Sequence, residues 1–372
     1  MEMLDDSILS VASIWTGKEF ELRETMIHYK NSTIVKVLGS GLCGTDRHLM
    51  ELPAFNERSF GHEIFAEIIR VGDKLNSVGG HPIKPGDKVI VTPGVPCMEC
   101  AICTTYAGHE HMCGSRKSHG FAKYSTKDFF PIGGFSNYME LVDELWVVKV
   151  DDDLTFDEVM FAEPVAIAVK AVERGIGGAK QEFEFGPGVA MRAAIIGLGP
   201  IGCATAFVLK SLGAELVGFD TNEWKAQHVG QIFNFKTLAI PDGSNDAFEF
   251  LKKKNELDFD LVIDCTGSPR GLELGIKVAK RGGRIIEVGS FAPGTKSFIN
   301  PADICKRELE VFGSVLSPAF TYTKVLRLLR KFKNYDLSKL TTHHLTLDSM
   351  NDVFNIVDQD RFIKIHIDPI FK

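Results

Sequence analysis

The chain of 372 residues has no excess of basic charge: 42 lysines and arginines stand against 49 aspartates and glutamates, a net charge of −7. A nucleic-acid partner needs a concentrated basic face, and the densest run, Lys252, Lys253 and Lys254, is too short to make one. Long apolar runs are also missing. The most apolar stretch, 189–209, is broken by Arg192, Gly197, Gly199, Pro200 and Gly202, which excludes a membrane-spanning helix there. Residues 1–6 lack the basic start and apolar core of an export signal, so the cytoplasm is the expected compartment. With 44% hydrophobic and 24% charged residues, the chain is expected to fold as a soluble protein of two domains. Its 35 glycines, roughly 9% against about 7% in average usage, fall largely in pairs and Gly-x-Gly clusters that favour tight strand-to-helix turns.

Short β-type runs separated by Gly, Pro and Asp fill the first 160 residues, most clearly at 33–38, 64–71, 87–91 and 138–142. They predict an antiparallel, barrel-like domain. The character changes near Glu163. Strands expected at 193–196, 215–219, 261–264, 284–288 and 310–313 alternate with helices such as 200–212, 223–230 and 271–280. That alternation predicts a parallel, doubly wound sheet. After Pro318 a helix (322–333) and a last strand (363–367) fit poorly in that sheet and are expected to return to the first domain.

Within the second half, Gly197-Leu198-Gly199-Pro200-Ile201-Gly202 follows a strand and opens a helix. In that setting Gly197 makes the tight turn and Gly199 lets the backbone approach a pyrophosphate at the helix N-terminus. Gly202 lets helix and strand pack closely. Asp220 ends the next strand, where a carboxylate accepts a ribose 2′-hydroxyl and repels a 2′-phosphate. Thr221 and Asn222 follow it, with no arginine to neutralise that phosphate, so NAD is favoured over NADP. Thr266, Gly267, Val288 and Gly289 lie just after later strands, along the expected course of the coenzyme, and Arg307 is a candidate for its pyrophosphate.

The first half carries Cys97-x2-Cys100-x2-Cys103-x9-Cys113, four thiolates on one loop. Tetrahedral zinc is the usual answer to such a set, and a closed site of this kind is structural. Cys203, Cys265 and Cys305 read instead as buried small hydrophobes. A more dispersed set is Cys43-Gly44-Thr45-Asp46-Arg47-His48, then Gly61-His62-Glu63, then Glu163-Pro164. Spacing alone does not join these into a site.

Taken in order, these motifs resemble the zinc-dependent medium-chain alcohol dehydrogenases. Pro85-Gly86-Asp87-Lys88-Val89, Gly133-Gly134-Phe135 and Asp264-Cys265-Thr266-Gly267 add to the likeness, which runs from about residue 30 to the end. Within that superfamily the chain looks nearest to the polyol (sorbitol-like) and threonine dehydrogenase branches. The resemblance implies a GroES-like β-barrel catalytic domain, 1–165 with 318–372, and a Rossmann NAD-binding domain, 166–317. It implies two zinc ions per chain. Cys43 and His62 match catalytic zinc ligands, and Glu63 and Glu163 occupy the two carboxylate positions, one of which binds the metal directly or through water. Thr45 and His48 match the proton relay, and Asp46 the carboxylate that orients the ligand histidine. Cys97, Cys100, Cys103 and Cys113 match the structural zinc loop.

Two departures bear on this. The gap before the fourth cysteine is x9, where the family has x7, which puts His111 at the family's cysteine position. An insertion is the favoured reading, because Gly108 is displaced by the same two positions. Arg47 replaces a small apolar residue and makes Cys-Gly-Thr-Asp-Arg similar to the aldose (glucose-type) 1-dehydrogenases. The expected reaction is hydride transfer from a polyol or other secondary alcohol to NAD, giving a ketone. Its rivals are aldose oxidation to a lactone and a nucleotide-binding protein without catalysis. Leu49, Phe60, Phe121, Phe135 and Phe291 are the expected pocket walls. A homodimer or homotetramer is implied by the family, with no nucleic acid or membrane partner.

Overall fold

The computed structural model describes residues 7–29, 31–105, 109–120, 133–141, 145–177, 191–289 and 296–371. It divides into two units, the first of residues 1–163, 318–330 and 341–372, the second of 164–317 and 331–340. Residues 331–340 therefore group with the second unit, not with the catalytic segment 318–372. The cause is aromatic packing: Phe332 and Tyr335 set their edges against Phe207, and Tyr335 also meets Phe233.

In the first unit the strand Thr33–Gly41 is central. It pairs antiparallel with Glu63–Arg70, from Ile34 opposite Arg70 to Gly41 opposite Glu63. The end of one strand thus lies beside the start of the other, and the segments holding Cys43 and His62 leave the sheet at one edge. Lys364–Asp368 joins the opposite side of Thr33–Gly41, with His366 opposite Gly41. A residue three hundred positions away in sequence is brought to the same edge. A second sheet, formed by Ser7–Trp15, Phe20–His28 and Arg58–Ser59, includes an N-terminal hairpin that the sequence reading left out.

The second unit holds six parallel strands in the order Lys236–Ala239, Glu215–Asp220, Arg192–Ile196, Phe259–Asp264, Ala279–Glu287, Glu310–Gly313. Ile196, Phe219, Val262 and Ile285 belong to one buried cluster, the apolar filling that a sheet covered on both faces demands. Lys236–Ala239 is an edge strand with no buried residue, and the lack of an apolar run hid it in the sequence. Among the described residues no helix is long and apolar enough to cross a membrane.

Candidate active site

Cys43 caps the helix Gly44–Met50, and its backbone N–H donates to Asp46 Oδ2 at 2.9 Å. The other oxygen of Asp46 accepts from His62 Nδ1 at 3.1 Å, and Asp46 is fully buried. One carboxylate therefore sets the position of both residues. His62 also meets the Cys43 thiol, and ligand atoms of Cys43, His62 and Glu63 lie within 4.8 Å of one another. Burial alone would lower the basicity of His62, but the charge and hydrogen bond of Asp46 outweigh it and raise its pKa well above the usual value. An imidazole, a thiol and a carboxylate so gathered make a donor set that fits zinc.

The site holds a residue absent from the sequence reading. Lys364 is 1% exposed, and its Nζ lies 2.6 and 2.5 Å from the two oxygens of Glu63. It also donates to the Leu42 carbonyl at 2.9 Å. Lys364 thus ties the residue before Cys43 to the residue after His62. Gly41 makes room for the pair: a Cβ there would come within 2.0 Å of Glu63 Oε2 and 3.1 Å of Lys364 Cε. A lysine in an Ile-Lys-Ile-His-Ile strand reads as a solvated edge residue, and only the pairing of that strand with Thr33–Gly41 reveals its partner. Glu163, in the first turn of Ala162–Ile176, is buried beside these groups. Burial and then the Glu63 charge push its pKa up to about 7, against the pull of His62 and Lys364.

Thr45 is half-buried and His48 exposed, three residues apart on one helix and so on one face. Arg47, on the same helix, is exposed and 4.0 Å from Asp358. Two expected pocket walls fall elsewhere: Phe60 and Phe135 are fully buried in the core, where they pack with Trp15, Leu42 and Ile365. Large apolar rings near a site are consumed by the core before they can line a cavity. Leu49 packs against that cluster, and Phe121 and Phe291 lie outside the described residues.

Cys97, Cys100, Cys103 and Cys113 gather within 4.8 Å, and none forms a disulfide. Sulfur–sulfur distances of 3.5 Å (Cys97–Cys113), 3.6 Å (Cys100–Cys103) and 3.9 Å (Cys100–Cys113) are close to a tetrahedral edge. Four thiolates about 2.3 Å from one zinc ion stand about 3.8 Å apart. Backbone N–H groups of Glu99 and Cys100 draw the Cys97 thiol down to about 7. His111 is buried but outside this cluster.

In the second unit, the loop 197–202 joins strand Arg192–Ile196 to helix Pro200–Ser211, capped by Gly199 with Pro at its first position. Gly197 has φ +88°, and a Cβ on Gly202 would strike the Gly197 carbonyl oxygen at 1.9 Å. Asp220 accepts from the backbone N–H groups of Leu198 at 2.7 Å and Asn222 at 2.8 Å. A cavity runs past Gly197, Gly199, Pro200, Asp220 and Thr266. Lys225, Asp242 and Arg270 also line it, unforeseen in the sequence because they sit on three separate loops and helices. Ile201, Gly202, Gly267, Val288 and Gly289 do not line it: Gly202 is the packing contact, and Gly267 backs onto Gly289. Arg307 is committed elsewhere, donating to the carbonyls of Ile276 at 2.6 Å and of Ala279 at the end of helix Pro269–Val278. Cys203 is buried as expected, but Cys265 lines the cavity and Cys305 is exposed.

Two family models match the chain: "Alcohol dehydrogenase GroES-like domain" over residues 29–152 and "Zinc-binding dehydrogenase" over 200–331. The chain is 27% identical to L-galactonate-5-dehydrogenase of Escherichia coli over 92% of its own length and 93% of that protein. It is 25% identical to sorbitol dehydrogenase of Bacillus subtilis, covering 87% and 85% respectively. An alcohol dehydrogenase from Thermotoga maritima shares the fold at TM-score 0.84 and 22% identity, over 98% of this chain and 100% of that one.

Proposed function

The chain belongs to the zinc-dependent medium-chain alcohol dehydrogenases, and from that premise we propose that it oxidises a secondary alcohol of a polyol or related polyhydroxy compound to a ketone, with NAD as hydride acceptor. The observation that carries this reading is the gathering of Cys43, His62 and Glu63 about one point, with Asp46 buried behind them. A zinc ion held there supplies Lewis acidity toward the substrate hydroxyl. By accepting a hydrogen bond from Nδ1, Asp46 would leave the other ring nitrogen of His62 as the one that could hold the metal. Lys364 donates to Glu63 Oε1, and Glu63 and Glu163 are the two carboxylates that would serve the metal, directly or through water. Thr45 takes the proton released by the substrate hydroxyl, and His48 passes it to solvent. The four-cysteine loop takes the second, structural zinc. The intact donor set weighs against a protein without catalysis, and Arg47, turned toward Asp358, lends nothing specific to aldose oxidation.

A panel of polyols, aldonic acids, L-threonine, aldoses and simple alcohols, followed as NADH formation by the zinc-replete protein, tests this. Turnover is expected with polyols or aldonic acids and reversal with NADH and a ketone product. Turnover confined to aldoses sinks the proposal.

Asp220 supports NAD as the coenzyme, since its fixed carboxylate repels a 2′-phosphate. Asp220→Ser is expected to raise the ratio of NADP to NAD efficiency at least about tenfold, because Lys225 and Arg270 already line the same cavity. An unchanged ratio contradicts the role of Asp220. Assembly as a homodimer or homotetramer is supported by the edge strand Glu310–Gly313, by exposed Val311 and Val315, and by Phe298 at 89% exposure. A monomeric mass in sedimentation refutes it. Free thiols at every described cysteine support a reducing compartment, the cytoplasm, which fractionation of the source cells tests.

A further inference from the structure

In the second unit two acidic side chains lie side by side with no part in the reaction derived above. Asp264 ends the strand Phe259–Asp264, and Glu287 ends the neighbouring parallel strand Ala279–Glu287, directly in register with it. Asp264 is fully buried. Its Oδ1 accepts from the backbone N–H and the hydroxyl of Thr266, at 2.9 and 2.8 Å. Among the described residues no amide, hydroxyl or cation donates to its Oδ2, and Glu287 is its direct neighbour across the strand pair. Two carboxyl groups held side by side away from water resist carrying two charges, and a proton kept by one lets it donate to the other.

We propose that Asp264 and Glu287 share a single proton and that this pair is a positioning element of the coenzyme site, holding the turn 265–267 against the Gly197 loop. The connection is short. Thr266 lines the cavity and is hydrogen-bonded to Asp264, and a Cβ on Gly197 would meet Thr266 Cγ2 at 3.0 Å. The Asp264 carbonyl accepts from the N–H groups of Val288 at 3.0 Å and Gly289 at 3.2 Å, so the same residue ties both loops at this end of the sheet. Gly271, in helix Pro269–Val278, leaves the space: a Cβ there would lie 2.3 Å from Asp264 Oδ1.

The charged groups on the elements around the pair have partners of their own. Strand Arg192–Ile196 brings only apolar residues to this end. Cys265 follows Asp264 just past the strand, and burial keeps its thiol neutral. The charged residues of helix Pro269–Val278 are engaged elsewhere, Arg270 with Asp242, Glu273 with Ser244 and the Phe298 N–H, and Lys277 with Asn245. On the far strand Glu310 pairs with Arg284, and Ser314 donates its backbone N–H to the Glu287 carbonyl. Burial first, and then the Glu287 charge, push Asp264 up to about 8. Below that pH the pair carries one negative charge. Above it two like charges face each other, and their repulsion strains the turn that Asp264 holds through Thr266.

This inference rests on the reading of the cavity as a dinucleotide site. The test measures NADH affinity by fluorescence titration between pH 6 and 9, with thermal unfolding of the coenzyme-free protein across pH 5 to 9. In the wild type, affinity is expected to hold up to about pH 8 and then fall, by at most about tenfold per pH unit for one proton. Its melting temperature is expected to decline as pH rises toward 8, since the folded state holds a proton that the unfolded chain releases near pH 4. In Glu287→Gln the amide donates permanently to an ionised Asp264, and both pH dependences should vanish while NADH still binds. Asp264→Asn carries the same test if that variant folds poorly, and Glu287→Asp, which keeps a carboxyl, should retain the wild-type profile. Equal slopes in wild type and variant, or none in the wild type, overturn the role of the pair. Failure of NADH to bind at any pH overturns the coenzyme reading itself, and the proposal with it.

Discussion

Cys43→Ser is expected to abolish turnover, by at least about 10³-fold in kcat, while NADH binding persists. The size follows from the loss of Lewis-acid stabilisation worth several kcal/mol, at 1.4 kcal/mol per factor of ten. Serine keeps the shape of the residue and its backbone N–H bond to Asp46. What it removes is the thiolate, the soft anionic donor among Cys43, His62 and Glu63. The four-cysteine loop is untouched, so metal analysis should fall from two zinc ions per chain to one. NADH binding should hold, because the glycine loop, Asp220 and Thr266 all belong to the other unit. Steady-state kinetics, metal counting and fluorescence titration together decide. Turnover surviving at a tenth of the wild-type rate or more would remove the metal-assisted mechanism.

Lys364→Met should cost about 3–5 kcal/mol of stability, the usual penalty for leaving one partner of a buried ion pair without the other. Both side chains are almost wholly buried, and Lys364 holds both Glu63 oxygens as well as the Leu42 carbonyl. Methionine matches the length of the stem, so the lost charge and not a cavity is the cause. Its ammonium stays charged despite burial because the Glu63 charge raises its pKa. The control is Lys364→Met combined with Glu63→Gln, which removes the stranded charge and should recover about half of the loss or more. Denaturant midpoints of the zinc-loaded proteins measure both. A double variant no more stable than the single one would show that Glu63 is not what Lys364 serves.

Much of this was legible from residues alone. Strand 33–38 was seen because Thr33, Ile34, Val35 and Val37 make a short β-branched run, and the real strand runs on to Gly41. The parallel sheet was visible because buried strands carry short continuous apolar stretches, 193–196 in Arg192–Ile196 and 261–263 in Phe259–Asp264. The GxGxxG turn and the four-cysteine loop are local, so their spacing carries their chemistry. Lys236–Ala239 was missed because it buries no side chain, and Phe60 and Phe135 were misplaced because nothing in sequence separates a core ring from a pocket wall.

By itself the sequence determined the two-part architecture, the glycine turn between strand and helix and the thiol loop, while Cys43, His62, Glu63 and Glu163 were joined only through the ordered series of motifs that resembles a family. Each of these depends on contacts within a few turns of chain or on an ordered series of local motifs. Only the tertiary structure decided that Lys364 guards Glu63, that Asp264 faces Glu287, that Arg307 caps a helix, and that residues 331–340 belong to the second unit. Those depend on strand register and on aromatic packing between distant segments. The energy of such pairings lies in burial and charge compensation across the fold, which no local window of sequence contains.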